Sequence, residues 1–240
     1  DRISTDRMVA SEAADVGSIP AGPATSRQTR KSTGIPRNVK PQFLCHALLS
    51  LALFASVQAP AQESTTAEAA RAQVGITTGY DPAYRRLDYP GGDVPVATGV
   101  CCDVVVRALR TAHGFDLQKE VHEDMLAQFS AYPKKWGLRK PDANIDHRRV
   151  PNLQTFFTRR GWSLAVGNSA AEYRAGDIVT WDLGNGLAHI GVVSDRRAKS
   201  GAPLVIHNIG RGTQEEDVFF SWALTGHYRP YFPPAAETPY

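Results

Sequence analysis

GDIVTWDLGNGLAHIGVVSD, residues 176–195, decides the fold class of this chain. Ile178, Val179, Thr180 and Trp181 are β-branched or aromatic, and Ile190, Val192 and Val193 repeat the pattern. Such runs suit paired strands better than helix. Between them lies DLGNGLAH (182–189), whose glycines fit the tight turn of a hairpin. Three more short runs surround it, GWSLAVG (161–167), APLVIHNIG (202–210) and GHYRPYF (226–232), each bounded by Gly, Asn or Asp. From residue 161 onward the chain reads as antiparallel strands.

Upstream, the period is helical. In CDVVVRALRTAHG (102–114), Val104, Val105, Ala108 and Leu109 share one side, and Gly114 sits where a helix terminates. Asp116 can cap a second helix over LQKEVHEDMLAQFSAY (117–132), whose Leu117, Val121, Met125 and Phe129 recur every four residues. VPNLQTFFTRRG (150–161) makes a third, with Pro151 tolerated in its first turn. Ser64 can cap a short helix over TTAEAARAQVGI (65–76) that ends near Thr77. Residues 79–99 and 133–149 read as loops. Helices first and strands second define an α+β domain, its N-terminal helices packed on a C-terminal antiparallel sheet.

The chain has 240 residues, with 27 Lys and Arg against 24 Asp and Glu. Seven of the basic and four of the acidic residues fall within residues 1–62, so the remainder is neutral, with twenty of each. A neutral body offers no footing for counterion release and excludes nucleic acid as a partner. FLCHALLSLALFASV (43–57) is an apolar core, preceded by Arg37 and Lys40 and followed by small residues spaced A-x-A at Ala59 and Ala61. That is the layout of a secretory signal. Residues 39–62 are therefore expected to be a signal peptide, with translation starting at Val39. Residues 1–38 are expected to be disordered or to precede the true start, 63–232 to form one catalytic domain, and 233–240 a flexible tail. The mature protein is then periplasmic or secreted. Its apolar runs stop short of the ~18–20 residues a spanning helix needs, so no membrane span is expected.

Cys45 leaves with the leader, and Cys101 and Cys102 remain. Adjacent cysteines form at best a strained bridge, so this is no disulfide scaffold. Cys101 follows Thr98-Gly99-Val100 at the mouth of the first strong helix. Unpaired amides and the positive dipole end there favour thiolate, the species that attacks. A nucleophilic Cys wants a His, and two lie on the expected strands. His189, Gly191 and Val193 share one face of theirs, and His207 ends PLVIH. Neighbouring strands can set the two rings side by side, His189 as base and His207 as its orienter.

These pieces carry a family resemblance. A Gly-Asp strand, a His-Ile-Gly strand and an Ile-His strand, with a Cys opening a helix upstream in GVCCDVV, are similar to the NlpC/P60 pattern. More closely, YDPAY, YPGGDVP, GVCCDVVVRA, DLQKEVHEDM, NIDHRRVPNL, GDIVTWDL, HIGVVSD, IHNIG, EED and TGHYR resemble the DUF1287 family of bacterial exported proteins, over about residues 70–232. Members commonly read Gly-Val-Cys-Thr-Asp, so Cys102 takes the Thr place and Cys101 keeps that of the nucleophile. The resemblance implies an NlpC/P60-type, papain-like fold with Cys101, His189 and His207 as the catalytic set. It also implies an upstream Tyr beside the active site, for which Tyr80 is the candidate. The backbone amides of Cys101 and Cys102 are the expected oxyanion donors.

Other polar groups have two readings each. Arg148 and Arg149 can grip a substrate carboxylate or pair with Glu215, Glu216 or Asp217. His122, Glu123 and Asp124 with Asp146 and His147 lack metal-motif spacing and read instead as a network pinning the second helix to the NIDHRR loop. Trp181 can wall the cleft. No metal and no organic cofactor are implied. The expected function is an exported cysteine amidase or endopeptidase acting on the stem peptide of peptidoglycan in the cell wall. A catalytically silent periplasmic binding or assembly protein, or an acyltransferase or lipid hydrolase on a related fold, are the alternatives. The intact Cys-His-His set argues against the silent module.

Overall fold

The computed structural model describes residues 65–232 except Asn185. The readings of residues 1–62, Ser64 and 233–240 lie outside that range. Helix α1 (Thr66–Arg71) is capped by Thr65, one residue later than expected. The Glu68 carboxylate accepts the Thr65 N–H at 2.8 Å, and Thr65 Oγ1 accepts the Glu68 N–H at 3.2 Å. The helix stops at Arg71, and turns carry the chain to Ile76. Helix α2 (Cys101–His113) ends on Gly114 in the left-handed region, φ +61°. Helix α3 (Leu117–Gln128) buries Leu117, Val121 and Met125, then tightens into a 3₁₀ turn over Phe129–Ala131. Helix α4 (Val150–Arg159) carries Pro151 in its first turn. Among the described residues, no helix is long and apolar enough to cross a membrane.

Six strands form one antiparallel sheet: β3 (Ser163–Leu164), β4 (Ile178–Asp182), β5 (Ala188–Arg197), β6 (Pro203–Asn208), β7 (Thr213–Glu216) and β8 (Ala223–Tyr228), in the order β3-β8-β4-β5-β6-β7. The expected hairpin joins β4 to β5, and Asp182 Oδ1 accepts the Gly184 and Gly186 N–H groups within it, at 2.8 and 3.1 Å. The domain is thus mixed α+β. Three details depart from the sequence reading. β7 has no apolar residue to announce it. β8 starts at Ala223 rather than Gly226. The loop 79–99 hides a short parallel pair, β1 (Gly79–Tyr80) with β2 (Thr98–Gly99).

Strand alternation divides the core. Ile178, Ile190, Val192 and Ile206 join α2 and α4 in one cluster with Val104, Leu109, Phe156 and Phe157. Val179, Trp181, Val193 and Val205 join Tyr173 and Phe219 in a second. Burial of this kind stabilises by roughly 25 cal/mol per Å² of apolar surface.

Two buried arginines tie the irregular 77–100 segment to α2. Arg107 donates to both Asp93 carboxylate oxygens, to Thr77 Oγ1 and to the Val94 and Thr98 carbonyls. Arg148 donates to both Asp103 oxygens, at 3.0 and 3.1 Å, and to the Asp81 and Ala83 carbonyls. Segment 77–100 is held by charge-assisted bonds more than by secondary structure.

His147 is buried beside these groups, and its Nδ1 has no hydrogen-bond partner among the described residues. Burial pushes its pKa down to about 4. An unfolded His takes up its proton near pH 6.5. Between those values the unfolded chain binds the extra proton, so stability falls as pH drops from about 6.5 to about 4. Urea unfolding should show His147→Gln losing up to about 3 kcal/mol less than wild type across that window. Parallel losses in the two proteins would contradict this origin of acid sensitivity.

Candidate active site

Cys101 is the first residue of α2, so its amide and that of Cys102 have no acceptor within the helix. Asp103 Oδ2 accepts the Val100 N–H at 2.6 Å and fixes how the chain enters the helix. The Cys101 thiol has the Cys102 thiol, the His189 ring and the Ile190 N–H as its polar neighbours. These contacts, that with Cys102 foremost, hold its pKa well below the ordinary thiol range although burial opposes the shift. Burial, and after it the neighbouring Cys101, push the Cys102 pKa the other way, well above the ordinary thiol range. The two adjacent cysteines are therefore shifted in opposite directions.

His189 and His207 meet as strand alternation requires. His189 Nε2 lies 2.7 Å from His207 Nδ1. Gly191 makes that approach possible, because a Cβ there would come within 2.8 Å of Val205 Cγ1 and 3.1 Å of His207 Cβ. The second His207 nitrogen, Nε2, is 3.0 Å from Glu216 Oε2. Glu216 also pairs with Arg211. The bond to His207 lowers the Glu216 carboxyl pKa, while burial lowers that of His207.

That chain fixes both tautomers. A carboxylate only accepts, so His207 Nε2 carries the proton and donates to Glu216. His207 Nδ1 is then an acceptor, and His189 Nε2–H donates to it. The remaining His189 nitrogen, Nδ1, is then without a proton and is an acceptor. Glu216 thereby orients the base through an intervening ring, the role a carboxylate plays directly in a Ser-His-Asp triad. The sequence reading missed Glu216, which it had considered only as an arginine partner.

The remaining candidates sort as follows. Tyr80 lines the cleft with Cys101, and burial together with the neighbouring thiols raises its pKa strongly, so its hydroxyl remains a donor. Tyr84 is exposed and donates instead to Asp142 at 2.9 Å. Arg148 neither waits for substrate nor pairs with Glu215, Glu216 or Asp217, because Asp103 and two carbonyls take its guanidinium. Arg149 lies in the cleft wall with its guanidinium 4.3 Å over the Trp136 ring. Trp136 rather than Trp181 walls the cleft. Trp181 is fully buried, donates to the Phe219 carbonyl and backs the His189 ring at 5.8 Å. The expected polar network is present, His122 Nδ1 lying 2.9 Å from Asp146 Oδ2. Among the described residues no group of three or more His, Cys, Asp and Glu side chains could hold a metal.

An α+β domain that sets a depressed-pKa cysteine at a helix N-terminus against a His-His-Glu chain has the equipment of a thiol nucleophile. The chain belongs to the family described as Domain of unknown function (DUF1287), whose model matches residues 67–230. It is 61% identical over 166 residues to "Uncharacterized protein YijF" of Escherichia coli (strain K12), covering 69% of this chain and 80% of that protein.

The tautomer chain can be read directly. In Cys101→Ala, where no thiol proton competes for His189, nitrogen NMR of isotope-labelled histidines should show both rings protonated at Nε2. Glu216→Leu, which removes the acceptor, should erase that signature on His207. An Nδ1–H tautomer on either ring with Glu216 intact would contradict the assignment.

Proposed function

We propose that the protein is an exported cysteine amidase or endopeptidase with an NlpC/P60-type, papain-like fold, cleaving amide bonds of the peptidoglycan stem peptide. The observation that carries this reading is the hydrogen-bonded line from His189 through His207 to Glu216, with the Cys101 thiol as a neighbour of His189 in the wall of a cleft. A structural cysteine gains nothing from a lowered pKa, and a structural His pair gains nothing from a fixed tautomer. The secretory leader expected at residues 39–62 supports export to the periplasm or beyond, where the wall is the abundant amide-bearing polymer.

The steps follow from the placement. Cys101 passes its proton to His189 Nδ1 and attacks the amide carbonyl carbon. The carbonyl electron pair moves onto oxygen, where the Cys101 and Cys102 amides and the Tyr80 hydroxyl can donate to it. As the tetrahedral intermediate collapses, the C–N bond breaks and His189 returns its proton to the leaving amine. Water then gives a proton to His189 Nδ1, adds to the thioester carbonyl and displaces the Cys101 thiolate, releasing the acid.

Purified wall fragments incubated with wild type should release new amine and carboxylate ends, read by mass spectrometry, and Cys101→Ala should release none. His189→Ala should lose about 10²- to 10⁴-fold in turnover. His207→Asn, which keeps a polar group against the base, should lose about 10- to 100-fold. Equal product from wild type and Cys101→Ala, with circular dichroism showing both folded, would overturn the reading.

A further inference from the structure

The segment that leads into the nucleophile and the sheet that carries its base are separate pieces of backbone. Asn208 follows His207 directly on β6 and is fully buried. Its Nδ2 donates to the Gly79 carbonyl of β1 at 3.1 Å and to the Gly99 carbonyl of β2 at 3.0 Å. Its Oδ1 accepts the Gly210 N–H at 3.2 Å, so both ends of the amide are engaged and its orientation is fixed. Gly79 immediately precedes Tyr80, and Gly99 lies two residues before Cys101. The Asp81 N–H also donates to the Gly99 carbonyl, at 3.2 Å, so Tyr80 is held on both sides. The turn after Asn208 lies flush on the same segment. The Thr213 N–H donates to the Thr77 carbonyl at 2.8 Å, and a Cβ at Gly212 would collide with that oxygen. The β1–β2 ladder spans two residue pairs, too few to hold its own place against the sheet. Arg107 and Arg148 tie this segment to α2, whereas Asn208 and its turn tie it to the strand of His207.

Resting on the reading of Cys101 as nucleophile, we propose that Asn208 is a positioning residue, which sets the Cys101 thiol and the Tyr80 hydroxyl against the His189–His207 pair. It does so by fixing both strands of the β1–β2 pair to the backbone that carries His207. It touches no substrate and moves no proton. Its effect runs through the separation of the thiol from its base, where an error of about 1 Å costs about 10²-fold in reactivity.

Asn208→Leu keeps the volume of the side chain and removes its donors, so a space-filling role would leave Cys101 unaffected. Iodoacetamide alkylation of Cys101, located by peptide fragmentation and followed against pH, reports how well the base meets the thiol. In Asn208→Leu the midpoint of that profile should rise by about one pH unit. In the Cys101→Ala background, the same substitution should leave both histidines protonated at Nε2 by nitrogen NMR, because His189, His207 and Glu216 all belong to the sheet. An unchanged midpoint in folded Asn208→Leu, or histidine tautomers lost along with the shift, would overturn the positioning role. Should Asn208→Leu fail to fold, Asn208→Ala decides by the same two readouts. A wild-type Cys101 that titrates as an ordinary thiol would remove the nucleophile reading and the positioning role together. An acidic wild-type Cys101 with an unchanged variant would remove the positioning role alone.

Discussion

The candidate site rests on the ion pair between Asp103 and Arg148. Both side chains are almost wholly buried, 3% and 2% exposed, at the helix end that carries Cys101. Asp103 caps the entry to α2 by accepting the Val100 N–H, and so sets where Cys101 begins the helix. Arg148 reaches from the 133–149 segment to hold the Asp81 and Ala83 carbonyls, just past Tyr80. One pair thus fixes three parts of the cleft: the helix end, the tyrosine loop and the wall that carries Arg148. Removing either partner of such a pair leaves a bare buried charge, at a cost of about 3–5 kcal/mol. Asn208 ties the same loop to the sheet, its Nδ2 donating to the Gly79 and Gly99 carbonyls at 3.1 and 3.0 Å.

On the sheet side, directionality comes from a terminal acceptor. Two neutral histidines in contact have several proton arrangements of similar energy. Glu216, itself anchored by Arg211, removes the ambiguity, because only one arrangement lets every ring nitrogen along the line donate or accept correctly. Trp181 and Trp222 lie around the rings, 5.8 and 6.2 Å from His189, and limit the water that could substitute for these bonds. On the helix side, Cys102 serves the same end. Burial raises its pKa, and its thiol favours the negative form of the neighbouring Cys101.

The histidine pair was legible in the sequence because strand alternation is rigid. Once 176–195 is a hairpin and 202–210 the next strand, His189 and His207 have few places to go except beside each other. Glu216 was not legible. Thr213-Gln214-Glu215-Glu216 carries no apolar alternation, and its pairing depends on an edge register set through the 209–212 turn. The fate of Arg148 was hidden for a related reason. Its partner lies 45 residues away in a helix end, and nothing local favours Asp103 over the acidic run at 215–217. Trp136 and Trp181 were exchanged because sequence proximity to His189 is a poor guide to solvent. Trp181 pairs with His189 in the ladder and is sealed between sheet and turn, whereas Trp136 sits in a loop that faces the cleft.

Cys101, and not Cys102, is the more acidic of the two thiols, because Cys102 and then His189 favour its negative charge. Ultraviolet thiolate absorbance followed against pH tests this most directly. Wild type should show one thiolate that titrates well below the ordinary thiol range. That signal should vanish in Cys101→Ser, survive in Cys102→Ser with a raised midpoint, and move up in His189→Ala. A wild-type signal that appears only at alkaline pH, or one that persists at neutral pH in Cys101→Ser, would contradict it.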